Sequence, residues 1–292
     1  MRTLIPFFLL ALVLAFFCPA IPARLRGRML AQPRLVFFAP ASLAAFFCAV
    51  VGYFGALSVP LVLLILAYTF VPALCVFVQG PQPRVSWLDF AIMLMLWLPV
   101  ELNFGRPWMP REMQGLAHTA VYGIGLLLAL ILLGAFRGLR GMKYNLPTKK
   151  WRDALHVVAA FAAAAVILIP LGLALGFLTP VHALRFSGGT LALRFLGIWA
   201  GTALPEEILF RALIQNWIMQ KFGESNWTLL AAAVIFGCSH LNNGPGALPN
   251  WRYAILATIA GWLYGKVFQK ASSIVASVTL HAMVNTVRHS FF

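Results

Sequence analysis

Two adjacent glutamates, Glu206 and Glu207, stand in the stretch ALPEEILFRALIQNW, which is otherwise almost wholly apolar. The entire chain holds only 7 acidic residues, so the doubling asks for a reason. A carboxylate in apolar surroundings has its pKa raised towards neutrality, which suits a general base that takes a proton from water and later returns it. Glu207 and Arg211 are four apart, in the favourable Glu-before-Arg order, and can make an ion pair on one helical face. Glu206 lies about 100° round the helix from Glu207, so it need not share that arginine. One carboxylate then serves structure and the other is left for chemistry. The bland alternative is that both acids complement a helix dipole just after Pro205, but that accounts poorly for two of them in an apolar setting.

Two further constellations follow along the chain. In AAAVIFGCSHLNNGPG, Phe236 and His240 are four apart, with the histidine closing an apolar run; taken alone, it could equally be a helix-end histidine on the last carbonyls. In SSIVASVTLHAMVNTVRHSFF, Ser273, Ser277, His281, Asn285 and His289 recur every fourth residue, a polar stripe on an apolar helix. Serines in such a stripe read as glue between membrane helices. A histidine and an asparagine one turn apart read as a site. Asn285 can only hydrogen-bond, so holding an oxyanion suits it, and His281 is placed to donate to the same oxygen. His240 would orient the water or carry a proton. His118, His156 and His182 fall near loops or the ends of apolar runs and invite no such role.

The elements that must position these groups belong in a membrane. The 292 residues are 62% hydrophobic and 10% charged, with a mean hydropathy of +0.88, far from the quarter-charged make-up of soluble domains. Apolar runs occur at about 4–21, 35–53, 57–79, 86–102, 116–136, 155–178, 190–204, 227–240, 253–269 and 273–289. The pattern predicts an all-α, polytopic helix bundle with about eight to ten transmembrane helices and the active site in its C-terminal part. An ionisable group inside such a bundle costs roughly 2.5–3.5 kcal/mol on insertion scales, so those retained there pair or do chemistry.

The net charge of +15 would suggest nucleic acid on a soluble protein. Here it sits in short loops, Arg24 to Arg34 and Arg137 to Arg152, as positive-inside sorting demands, and contacts anionic lipid. Both loops are assigned to the cytoplasmic side. The second also marks the boundary between residues 1–145, membrane helices with no assigned role, and residues 146–292, where the polar intramembrane residues gather. The start of the chain has the apolar core of a secretory signal, but the following RLRGR disfavours export, so a retained first helix is expected. Cys18, Cys48, Cys75 and Cys238 show no metal or disulfide spacing. The pair Gly261 and Gly265 forms a GxxxG that lets helices approach closely.

The ordered trio EExxxR, FxxxH and HxxxN on successive apolar helices resembles the CPBP family, the CAAX-protease and bacteriocin-processing (Abi) membrane proteins, over roughly Arg152 to Arg288. The resemblance places the first motif on Glu206, Glu207 and Arg211, the second on Phe236 and His240, and the third on His281 and Asn285. It implies an intramembrane endopeptidase of a bacterial inner membrane, in which Glu206 and His240 activate water and His281 and Asn285 stabilise the oxyanion. Its partner is a membrane-associated peptide or protein, together with the lipid bilayer, and not nucleic acid. No cofactor is favoured. The competing form is a zinc enzyme with Glu206, His240 and His281 as ligands and water in the open position, for which no HExxH motif speaks. Two other classes stay open. A non-catalytic scaffold or immunity protein would keep its phenotype in Glu206→Gln and His240→Ala variants. A transporter would commonly show inverted repeats, which are not visible here.

Overall fold

The computed structural model describes residues 4–179, 188–243 and 248–292, and every regular element among them is a helix. Contacts divide the chain into two units, Met1–Gly141 and Met142–Phe292. His182 lies outside the described residues.

In the first unit, α1 (Leu4–Ala15) and α2 (Ala20–Ala31) are separated by an 80° bend. A 3-10 turn, Pro33–Phe37, leads into α3 (Phe38–Tyr53), followed by α4 (Val59–Gln79) and α5 (Trp87–Glu101). Next comes α6 (Arg111–Ala129), which widens into a π-helical end, Leu130–Phe136. Ser86 and Asp89 form a capping box at the start of α5, which satisfies donors that the helix itself leaves orphaned. Asp89 also accepts from Arg137 at 3.0 Å, both fully buried. That guanidinium donates to Gly80 O (2.6 Å) and Arg84 O (3.0 Å) as well, tying the end of α6 to the end of α4. This basic-loop arginine is therefore structural as well as topological.

In the second unit, α7 (Lys150–Ala174) packs along α12 (Trp251–Lys270) and α13 (Val275–Phe291). Between them in sequence runs one long helical stretch: α8 (Gly188–Ile198), a π segment Trp199–Ala203, the short α9 (Leu204–Glu207), a second π segment Ile208–Gln215 and α10 (Asn216–Phe222). The short α11 (Asn226–Cys238) lies against α12. Glycine makes that approach possible: a Cβ on Gly261 would meet Phe236 Cδ1 at 2.8 Å, and one on Gly265 would meet Leu229 Cδ1 at 2.5 Å.

The turn from α12 to α13 is clasped by the segment that opens the unit. The Lys143 ammonium donates to Phe268 O, Gln269 O and Ala271 O at 2.7, 2.9 and 2.9 Å. Asp153 accepts from Ser272 N at 3.0 Å and from its hydroxyl at 2.5 Å. Carbonyls at a helix C-terminus have no partners inside the helix, and a cation there also meets the negative end of the dipole. Burial lowers the Lys143 pKa from its ordinary value, against the opposing pull of Glu224 and Asp153. Lys143→Met is expected to cost about 2 kcal/mol, because it removes charge-assisted hydrogen bonds from three carbonyls at once. A thermal unfolding midpoint in lipid nanodiscs equal to that of the parent protein would show that the clasp contributes nothing.

The helical class is as expected, but the number of spans is not matched. Among the described residues four helices are long and apolar enough to cross a bilayer, at Pro33–Tyr53, Val59–Gln79, Arg111–Phe136 and Lys150–Ala174, or five if the bent α1–α2 pair is one span. The expected eight to ten counted every apolar run. A helix rises 1.5 Å per residue and the hydrocarbon core is about 30 Å thick. The 13 residues of α11 and 15 of α5 therefore fall short. In the second unit, α12 is long enough, but its lysines, tyrosines and glycines dilute its apolarity.

Candidate active site

The site is assembled from α9, the end of α11 and the middle of α13, all in the second unit. Pro205 sits in the first turn of α9, and Glu206 and Glu207 follow. Their helix is flanked by π segments, whose wide turns are uncommon and gather at functional sites. Glu207 is fully buried, whereas the Glu206 side chain keeps 22% exposure. Adjacent acids thus have different environments.

Glu207 Oε2 accepts from Arg211 Nε at 3.2 Å, an ion pair with both partners at 0% exposure. The guanidinium also packs over Phe236, 4.7 Å from the ring centroid. Glu207 has a second partner that helical spacing does not announce: its Oε1 lies 3.1 Å from His281 Nδ1. A carboxylate bonded to both an arginine and an imidazole does more than hold its own helix.

His240 lies beyond the last residue of α11, in the turn that follows. Its Nδ1 is 2.9 Å from Phe236 O, and a carbonyl can only accept, so Nδ1 carries the hydrogen. The neutral ring is then left with a bare Nε2, and that atom stands 4.0 Å from Glu206 Oε2. The Phe236 and Tyr253 rings hold the imidazole edgewise at centroid distances of 4.8 and 4.6 Å. His240 therefore does bond the final helix carbonyls, and it faces Glu206 at the same time.

His281 Nε2 stands 3.8 Å from Glu206 Oε2 and 3.1 Å from Asn285 Nδ2. Tyr264 stacks on the His281 ring at 4.6 Å with 19° between the planes. The polar stripe on α13 divides accordingly. Ser273 precedes the helix and bonds Asn145 O, Ser277 bonds Ile274 O at 3.1 Å, and His289 is exposed. Ser277 also bonds the Glu207 carboxylate, His281 reaches both glutamates, and Asn285 joins the cluster through His281. His118 bonds Asn103 in the first unit, and His156 lies on α7; neither belongs to the cluster.

Tyr253 and Tyr264 escape the motif reading, yet they wall both histidines. They are eleven residues apart on α12, which is just over three full turns and hence one face. A pair of tyrosines at that spacing in an apolar helix is a signal that sequence alone carries, since a buried phenol or its ring edge needs a polar neighbour.

An open-sided cavity reaches the cluster at His240, His281 and Asn285. Its other walls are apolar side chains of α7, α12 and α13, such as Phe161, Leu168 and Leu256, with Arg288 on its rim between Tyr253 and Phe177. Glu206 lies outside the lining and faces the two histidines. The arrangement offers an apolar chamber, a carboxylate and a bare imidazole nitrogen 4.0 Å apart, and an amide beside the second histidine.

The same geometry tests the zinc alternative. Among the described residues no three His, Cys, Asp or Glu side chains are arranged to hold a metal ion. At His281, Nδ1 is engaged by Glu207 and Nε2 by the Asn285 amide.

A carboxylate, two histidines and an asparagine thus meet beside an apolar chamber in this helical unit. Residues 188–287, wholly within the second unit, match the family model described as type II CAAX prenyl endopeptidase Rce1-like. No curated protein and no solved structure matches the chain. The C-terminal unit thus carries an Rce1-like domain of the CAAX-protease family, and the chain is an integral membrane protein.

Proposed function

We propose that the protein is an intramembrane endopeptidase that cleaves a membrane-associated peptide or protein by direct attack of water. The convergence of His240 and His281 on Glu206, at 4.0 and 3.8 Å and from separate parts of the fold, is the observation that carries this reading. Glu206 takes the proton from a water held between it and His240 Nε2. The hydroxide adds to the scissile carbonyl, whose oxygen is stabilised on the side of His281 and Asn285. The proton then passes to the leaving amine. The apolar chamber receives the hydrophobic part of the substrate and keeps bulk water from the reaction. The helices too short to count as spans complete the bundle inside the bilayer, and a bacterial inner membrane is the natural home. The units divide the labour, with residues 146–292 as the protease core and residues 1–145 as membrane helices of separate role.

The mechanism needs no metal. Peptide hydrolysis by the purified protein in nanodiscs is expected to persist after exhaustive chelation. Loss of activity with recovery on adding Zn²⁺ would replace the glutamate mechanism by a metal-dependent one.

A further inference from the structure

The buried side chains Arg211, Glu207 and His281 and the half-buried Asn285 form one continuous hydrogen-bonded chain, with links of 3.2, 3.1 and 3.1 Å. Its direction follows from chemistry. Arginine has donors and no acceptor. The Glu207 carboxylate, paired with it, only accepts, so His281 Nδ1 must be the donor. A neutral imidazole has one N–H, so its Nε2 accepts. The partner of Nε2 is then the Asn285 NH₂ group and not its carbonyl oxygen. We infer that Glu207 is a positioning residue which, by fixing the tautomer of His281, orients the Asn285 amide as a hydrogen-bond donor facing the reaction chamber.

The inference rests on the proposed hydrolase reading and sharpens it. An amide nitrogen has two hydrogens. One is used on His281 Nε2, and the other is left for the oxygen of the tetrahedral intermediate. With one ring hydrogen on His281 and that hydrogen committed to Glu207, the oxyanion falls to Asn285, and His281 supports it from behind. Were the tautomer reversed, Nε2–H would draw the Asn285 carbonyl oxygen inwards. The site would then present its oxyanion with less donor character at the same position. The stack of Tyr264 on the ring, at 4.6 Å, keeps the imidazole plane from turning out of the chain.

The test reads the tautomer first and catalysis second. Full-length protein with ¹⁵N-labelled histidine is placed in lipid nanodiscs, and the His281 ring resonances are assigned by comparison with His281→Gln. The parent protein and Glu207→Asp, which keeps an accepting carboxylate, are expected to show the Nδ1–H form. Glu207→Gln, which can also donate, is expected to lose that preference and to lower kcat on the order of 10²-fold with KM little changed. Activity is expected to return in part in Glu207→Asp. An Nε2–H or doubly protonated ring in the parent protein overturns the inference, as does Glu207→Gln with parental kcat. If the Nδ1–H form is found but the parent hydrolyses no membrane peptide, the chain stands as structure and the protease reading fails instead.

Discussion

Glu206→Gln is expected to leave a folded protein with peptide hydrolysis reduced by about 10²–10⁴-fold, the range that removal of a general base produces. The amide has the size and shape of the carboxylate, and the side chain at this position retains 22% exposure. No buried cation is orphaned by the change, because Arg211 is paired with Glu207. Abundance in membranes and the thermal midpoint should therefore stay near those of the parent. The inactive protein should also hold uncleaved substrate in its chamber, so that mass spectrometry of material recovered from native membranes identifies the peptide. Undiminished turnover in this variant would remove Glu206 from the mechanism.

Arg211→Met is expected to act on the fold. Arg211 and Glu207 are both fully buried, and removing one partner of such a pair leaves the other charged and unsolvated, at a cost of about 3–5 kcal/mol. The arginine also loses its place over the Phe236 ring. The unfolding midpoint and the membrane abundance should fall together. Adding Glu207→Gln to Arg211→Met should recover part of the loss, since the two changes remove the charges as a pair and do not add independently. A single variant as stable as the parent, or a double variant worse than the sum of its parts, would show that the pair does not carry the stability of α9.

The contrast between these two variants bears on what sequence alone discloses. Four-residue spacing identified the Glu207–Arg211 pair and separated Glu206 from it. It also placed Phe236 beneath His240, although the histidine turned out to lie in the turn after α11 and to reach back through Nδ1 to the Phe236 carbonyl. What spacing could not show is the bond from Glu207 to His281, because the residues are 74 apart and belong to different helices. Ideal helical geometry also assigns Glu206 and Glu207 to different faces, whereas both carboxylates stand near His281, at 3.8 and 3.1 Å. The reading of long spans was sound where runs exceeded twenty residues, as at Val59–Gln79 and Lys150–Ala174. The count of eight to ten is not confirmed where apolar runs fall on shorter helices such as α5 and α11, since hydropathy does not report how a helix is cut.

The wide turns on either side of the glutamates have a consequence for length. A π turn accommodates about one residue more than an α turn for nearly the same advance along the axis. The stretch from Trp199 to Gln215 is thus a helix with extra residues absorbed in place and not looped out. Its residue count is a dimension of the molecule, in the way that a loop's is not. Shortening Ile208–Gln215 by one residue would restore ordinary winding and swing everything beyond it, including the Gln215 contact with Gly265, to a new bearing relative to the glutamates. Between Glu207 and Asn216 the number of residues is thus constrained as well as their identity.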